Sequence, residues 1–197
     1  MSGADRLDWG MTLLTTTRKY QGRRISVDLD TVRFPDGSTG TLEMVRHPGA
    51  AAVVPFLDPV TAPDPRILLL RQFRHAADAS LWEIPAGTLD PGEDAVDCAE
   101  RELEEEAGVE ADDLLLLSTI YTTPGFTDER IHLFVAIGLT PGTAAHERDE
   151  FLEVHALPWS EVGRMIRDGR IRDAKTLAAL MYVQCFLRSA ASPAVAG

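Results

Sequence analysis

Between Asp90 and Asp113 the chain carries twelve carboxylates and one base, Arg101. Within this block Ala95, Val96, Ala99, Leu103 and Ala107 recur at helical spacing, so one face is built to pack. A packed helix this crowded with like charge repels itself unless a cation joins it, and a hard divalent ion bound by carboxylate oxygens fits that need. At ~100° per residue Glu102 and Glu106 lie ~40° apart on one helix face, and Glu105 lies beside them. Carboxylates one turn apart can share one or two such ions, with waters and substrate phosphates completing the shell. Gly87 and Gly92 bracket a loop that must bend sharply before the helix. Glu93 supplies a negative group near the helix N-terminus. Arg101 is expected to bridge acids such as Glu93 and so hold the loop against the helix, with direct catalysis as its other role. Glu100 and Glu104 point away from the acidic face and into solvent.

These groups need a frame. The spacing predicts a helix over residues 93–107, ended by Gly108, which adopts the left-handed conformation without penalty. Upstream, residues 50–57 and 66–73 are apolar, β-branched runs separated by a Pro- and Asp-rich loop, as buried strands require, and 81–84 is a short strand. Downstream, residues 114–122, 131–137 and 151–156 read as strands, and 160–167 and 173–187 as helices. Residues 12–17, 24–34 and 41–46 read as a small antiparallel sheet, with Pro35-Asp36-Gly37-Ser38 as a turn. Pro48-Gly49 marks a boundary. Strands, one helix, more strands and then two helices suit an α+β chain with an α/β/α layered domain.

The acidic block also matches a known pattern at every fixed position: Gly87, five residues, Glu93, seven residues, Arg101-Glu102, two residues, Glu105-Glu106, one residue, Gly108 and an apolar Val109. The chain resembles the Nudix hydrolase family. The resemblance implies an α/β/α sandwich with a mixed sheet over residues 48–188, preceded by an N-terminal β-sheet region at 1–47 and followed by a flexible tail at 189–197. It implies that Mg²⁺ or Mn²⁺ is bound by Glu102 and Glu106. Glu105 is a further ligand or a base, and the carbonyl of Ala86 joins the metal shell. It implies hydrolysis of a diphosphate linked to a second group.

Three segments resemble the ADP-ribose pyrophosphatase branch of that family. They are RQFRHAADASLWEIPAG before the acidic block, YTTPGFTDERIHLF after it, with Pro124 fifteen residues beyond Val109, and DEFLEVHALPWSEV with GRIRDAKTLAAL near the end. By this resemblance Arg74 contacts ADP-ribose, as an Arg can by gripping phosphate or stacking on a base. Glu83, between Trp82 and Ile84, orders Arg74 or the metal site, or caps a loop. Pro124, Gly125 and Phe126 bound the substrate pocket. Glu150 is the expected catalytic base, with Asp149 and Glu147 as the fallback on the same loop. Tyr20 and Phe34 are candidates for stacking on adenine. His132 and Cys98 are read as structural. The resemblance further implies a homodimer, with N-terminal sheets exchanged between subunits. The expected reaction converts ADP-ribose to AMP and ribose 5-phosphate. The alternatives are another nucleoside diphosphate sugar such as GDP-mannose, or an ADP-ribose sensor without hydrolysis.

Composition sets the outer bounds. The chain has 197 residues, 19 Lys and Arg against 31 Asp and Glu, and a net charge of −12. That acidity argues against a nucleic-acid partner, which would call for a basic footprint. No apolar run approaches the ~20 residues of a membrane span, and the N-terminal residues lack the features of a secretory signal. Two cysteines, Cys98 and Cys185, make no disulfide framework, and the reading is a cytoplasmic protein.

Overall fold

The computed structural model describes residues 10–143 and 152–188. Two compact units are formed, Met1–Pro48 with Thr123–Glu129, and Gly49–Thr122 with Arg130–Gly197. The chain is α+β. Among the described residues, no helix is long and apolar enough to cross a membrane.

In the first unit, β1 (Thr12–Gln21), β2 (Ser26–Arg33) and β3 (Thr39–Arg46) form an antiparallel sheet in the order β1-β2-β3. The β2–β3 turn is closed as its residue types demand. Gly37 takes φ +85°, and Asp36 Oδ1 accepts from Ser38 N at 2.9 Å and from Ser38 Oγ at 2.6 Å. Ser26, Asp28, Asp30 and Val32 of β2 are buried. Two of these are carboxylates, and arginines meet both: Arg46 bonds Asp28 at 3.1 Å and also Asp30, while Arg18 bonds Asp28. β1 runs four residues beyond the expected end at Thr17. The added run is polar and shows no alternation, but it pairs with β2 through Tyr20 with Val27 and Gln21 with Ser26. The Thr123–Glu129 segment joins β3: Val45 N donates to Phe126 O at 2.7 Å, and Arg46 reaches Asp128 at 3.4 Å.

The second unit is the layered sandwich. Its first sheet has the order β7-β4-β9-β8, from β7 (Ala86–Thr88), β4 (Ala50–Pro55), β9 (Arg130–Pro141) and β8 (Val109–Tyr121); β4 and β9 are parallel and the other pairs antiparallel. The second sheet has the order β10-β5-β6, from β10 (Leu152–Pro158), β5 (Arg66–Arg74) and β6 (Ala79–Glu83). β4 explains the layers. Ala51 and Val53 join a core with Cys98, Ala99 and Leu103 of α1 (Ala95–Ala107). Ala52 and Val54 join another with Val162 and Met165 of α2 (Trp159–Arg167) and Ala179 and Leu180 of α3 (Ala174–Tyr182). Successive strand residues point to opposite faces, so a strand covered on both sides is apolar throughout.

Elements of this unit also differ from expectation. β8 begins at Val109 rather than at Leu114, because Glu110 and Asp113 pair with Thr140 and Ile137 of β9. β7 is three residues with a central glycine, too short for any periodic signal. The last helix changes at Val183 to π-type hydrogen bonding through Arg188.

Candidate active site

α1 presents the acidic face, and β7 lies against it. Cys98 N bonds Asp94 O at 3.1 Å in the first turn, and the helix closes on Gly108, at φ +67°, whose N–H bonds Glu104 O at 2.9 Å. Glu102 and Glu106 are only 7% and 2% exposed, which is unusual for carboxylates. Glu106 Oε2 accepts from Ala86 N at 2.8 Å. Glu102 lies so close to β7 that a Cβ on Gly87 would stand 1.8 Å from its Oε1. Gly87 is therefore required for close approach rather than for a special backbone angle.

Arg101 gathers the acids. Its Nε meets Glu93 Oε1 at 2.9 Å, and Nη2 meets Glu93 Oε2 at 3.1 Å and Thr88 O at 3.3 Å. Nη1 spans Glu102 Oε1 at 2.6 Å and Glu105 Oε2 at 3.1 Å. Glu93 Oε2 also accepts from Asp90 N at 2.8 Å, which pins the loop. Arg101's hydrogen bonds to Glu93 and Glu102 raise its pKa, and the same guanidinium holds Glu93 below the ordinary carboxylate range.

This set suits a hard divalent cation. The donors are carboxylate oxygens on one helix face beside a glycine cradle that any side chain would fill. Glu102 and Glu105 share one guanidinium, which also binds Glu93, and Glu106 adds a further negative charge on the same face. Among the described residues, no group of three His, Cys, Asp or Glu already stands at metal-holding geometry. Instead, Arg101 Nη1 lies between Glu102 and Glu105.

A second charged group is built on the other sheet. Arg74, at the end of β5, makes a bidentate pair with Glu83 at the end of β6, Nε to Oε1 at 2.9 Å and Nη2 to Oε2 at 2.8 Å. The antiparallel register sets Arg74 against Ala79 and Leu70 against Glu83. Glu83 is 1% exposed. Burial pushes its pKa up, but Arg74 and Lys175 outweigh that and hold it below the usual value. The Glu83 hydrogen bond raises Arg74, with smaller electrostatic contributions from Glu106 and Asp173. Arg74 thus lies within electrostatic reach of Glu106 on α1.

Lys175, Asp173 and Thr176 belong to this group, and sequence reasoning did not single them out. The available signal was Asp173 at a helix start, two residues before a lysine. Asp173 caps α3, its Oδ2 accepting from Thr176 N at 2.9 Å. The turn carrying Pro124, Gly125 and Phe126 lies in the first unit, where Phe126 N and Thr127 N both bond Thr123 O at 3.1 Å. Tyr20 and Phe34 lie in that unit too. Glu147, Asp149 and Glu150 lie outside the described residues. His132 bonds Thr119 through Nδ1 at 3.0 Å, and burial lowers its pKa. Cys98 is fully buried on α1, and burial pushes its thiol up to about 12.

Comparison with known proteins bears on this geometry. The NUDIX domain family matches residues 46–180. The chain is 39% identical over 173 residues to a methanol dehydrogenase activator of Bacillus methanolicus, covering 87% of this chain and 91% of that one. It is 36% identical over 167 residues to an ADP-ribose pyrophosphatase of Bacillus subtilis (strain 168), covering 84% and 88%. A solved structure of an ADP compounds hydrolase superposes with a TM-score of 0.77 at 24% identity, covering 90% of this chain and 94% of that one, a likeness of fold.

Proposed function

The chain belongs to the NUDIX domain family, and on that premise we propose that it hydrolyses the diphosphate bond of ADP-ribose, releasing AMP and ribose 5-phosphate. It is a Nudix hydrolase. The observation that carries the substrate reading is the presence of two unlike groups in one unit. Glu102 and Glu105 are gathered by Arg101 next to Glu106, and Arg74 is fixed by a buried carboxylate within electrostatic reach of Glu106. A diphosphate calls for both: carboxylates that hold a hard ion, and a guanidinium that binds phosphate oxygens. Similarity to the Bacillus subtilis ADP-ribose pyrophosphatase supports the choice of nucleotide.

In this mechanism Glu102 and Glu106 would hold the ion, with Glu105 as a further ligand or base and the Ala86 carbonyl as an additional donor. A bound Mg²⁺ or Mn²⁺ would supply charge neutralisation of the diphosphate and polarisation of phosphorus. Arg101 acts by keeping Glu102 and Glu105 in register with the loop. Arg74 binds the diphosphate and orients it. Glu150, chosen on its sequence context, takes the proton of the attacking water. Positioning and charge neutralisation then account for most of the rate. The same reading makes the protein a cytoplasmic homodimer, to be checked by sedimentation and cell fractionation.

The test is a Mg²⁺-dependent hydrolysis panel of ADP-ribose, GDP-mannose, ADP-glucose, NADH and 8-oxo-dGTP, with products resolved by chromatography. Preference for ADP-ribose with release of AMP is the expected result, and preference for GDP-mannose would overturn the substrate. Tight ADP-ribose binding without turnover would replace the enzyme by a sensor. A second reading, regulation of a dehydrogenase, is favoured by the 39% identity to the activator protein. Stimulation of a methanol dehydrogenase assay by the purified protein would support it.

A further inference from the structure

Arg74 does not have Glu83 to itself. Lys175 Nζ bonds the same Oε2 that Arg74 Nη2 meets at 2.8 Å, so two cations converge on one carboxylate oxygen. Lys175 also bonds Asp173 Oδ2 at 3.0 Å, and its side chain is only 13% exposed. The lysine is held from several directions. Asp173 Oδ2 accepts from Thr176 Oγ1 at 2.6 Å, and Thr176 Oγ1 in turn accepts from Ile84 N at 3.0 Å. The first turn of α3 is thereby tied to the residue that follows Glu83.

We propose that Lys175 is a positioning residue for substrate binding: by sharing Glu83 it leaves the positive charge of Arg74 available to an incoming diphosphate. The proposal rests on the diphosphate-hydrolase reading above. Its physics is charge balance. Glu83 already receives two charge-assisted hydrogen bonds from Arg74, so satisfying that carboxylate does not require a lysine. With Arg74 alone the pair is neutral, and Asp173 makes the group net negative. Lys175 restores it to neutrality, beside an α1 face that already carries Glu102, Glu105 and Glu106. Loss of the ammonium therefore adds one uncompensated negative charge to the surroundings of Arg74. At ~8 Å and an effective dielectric of about 20, one unit charge changes the affinity for one phosphate charge by roughly 10- to 30-fold.

The experiment compares the full-length wild type with Lys175→Met, Lys175→Arg and Thr176→Val. Three quantities are read: ADP-ribose kinetics with Mg²⁺, equilibrium binding of α,β-methylene ADP-ribose, and Tm. Lys175→Met is expected to raise KM and the analogue Kd roughly 10- to 30-fold with kcat nearly unchanged. Lys175→Arg is expected to restore both. Thr176→Val, which cuts the ties of Oγ1 to Ile84 N and Asp173 Oδ2 but keeps every charge, is expected to lower Tm with a much smaller rise in KM than Lys175→Met. If Lys175→Met lowers Tm but leaves KM and Kd unchanged, or if Lys175→Arg fails to restore binding, the proposal is overturned and the lysine is structural. If the wild type neither turns over ADP-ribose nor binds the analogue, the diphosphate reading itself falls, and the role of Lys175 falls with it.

Discussion

One methyl group placed at Gly87 tests the geometry of the acidic face. The added Cβ would stand 1.8 Å from Glu102 Oε1, 2.1 Å from Cδ and 2.6 Å from Oε2. The obstructing atoms are the end of a flexible side chain, so Glu102 must swing away while the backbone of β7 stays in place. That movement breaks the 2.6 Å bond from Arg101 Nη1 to a carboxylate whose side chain is 10% exposed. A hydrogen bond between charged groups contributes about 1.5–3 kcal/mol. Arg101 is partly exposed and keeps Glu93 and Glu105, so the lower half of that range applies. A loss of about 2 kcal/mol corresponds to a fall in Tm of about 4–8 °C for a chain of this size. Apparent affinity for Mn²⁺ should fall more, at least ~10- to 100-fold, because an expected ligand has left the cradle. Thermal denaturation without metal and Mn²⁺ titration by calorimetry give the two numbers. A double-mutant cycle isolates the cause, since in a Glu102→Ala background the methyl meets no carboxylate and should cost little. A Gly87→Ala penalty that persists undiminished in that background would refute the reasoning.

Other perturbations have equally definite outcomes. Glu106→Gln keeps an oxygen to accept from Ala86 N, so the fold should survive while turnover falls ~10²- to 10³-fold; Glu105→Gln should behave alike, and near-wild-type rates in both would remove these glutamates from the mechanism. Asp58 accepts from Arg66 Nε and Nη2, each at 2.9 Å, and this guanidinium lowers its pKa to about 2. Because the folded value is depressed, the pair stabilises the fold fully above about pH 4 and loses its effect as pH falls toward 2. The acid limb of a stability–pH curve should therefore be shallower in Asp58→Asn than in wild type. Cys98 is buried with its thiol pushed up to about 12, whereas Cys185 is exposed. Iodoacetamide at pH 8 should label only Cys185 in the native protein, and peptide mapping that finds modified Cys98 would contradict the buried, uncharged thiol.

Much of the acidic site was legible because it is local. Glu93, Arg101, Glu102, Glu105 and Glu106 fall within two turns of helix and the loop before it, and helical geometry alone puts the last three on one face. Gly108 could be read as the cap for the same reason, and it takes φ +67°. The bridge from Arg101 to Glu93 also spans only eight residues. The strand ends were less legible. Arg18–Gln21 and Glu110–Asp113 are polar runs that become strand by pairing with distant partners. β7 escaped notice because Gly87 weakens any strand signal, although its backbone pairs with β4 across Ala51.

The contacts that the linear pattern left undetermined are those across long separations. Glu83 invites three local readings; the structure pairs it with Arg74, nine residues away, and also with Lys175, 92 residues away, a partner that no local pattern names. Ala51 and Ala52 are adjacent and alike in type, yet one packs with α1 and the other with α2 and α3. A periodic pattern tells which residues share a face, because that depends on the geometry of one element. What lies against that face depends on sheet order and helix packing, which are set by the burial of the whole chain.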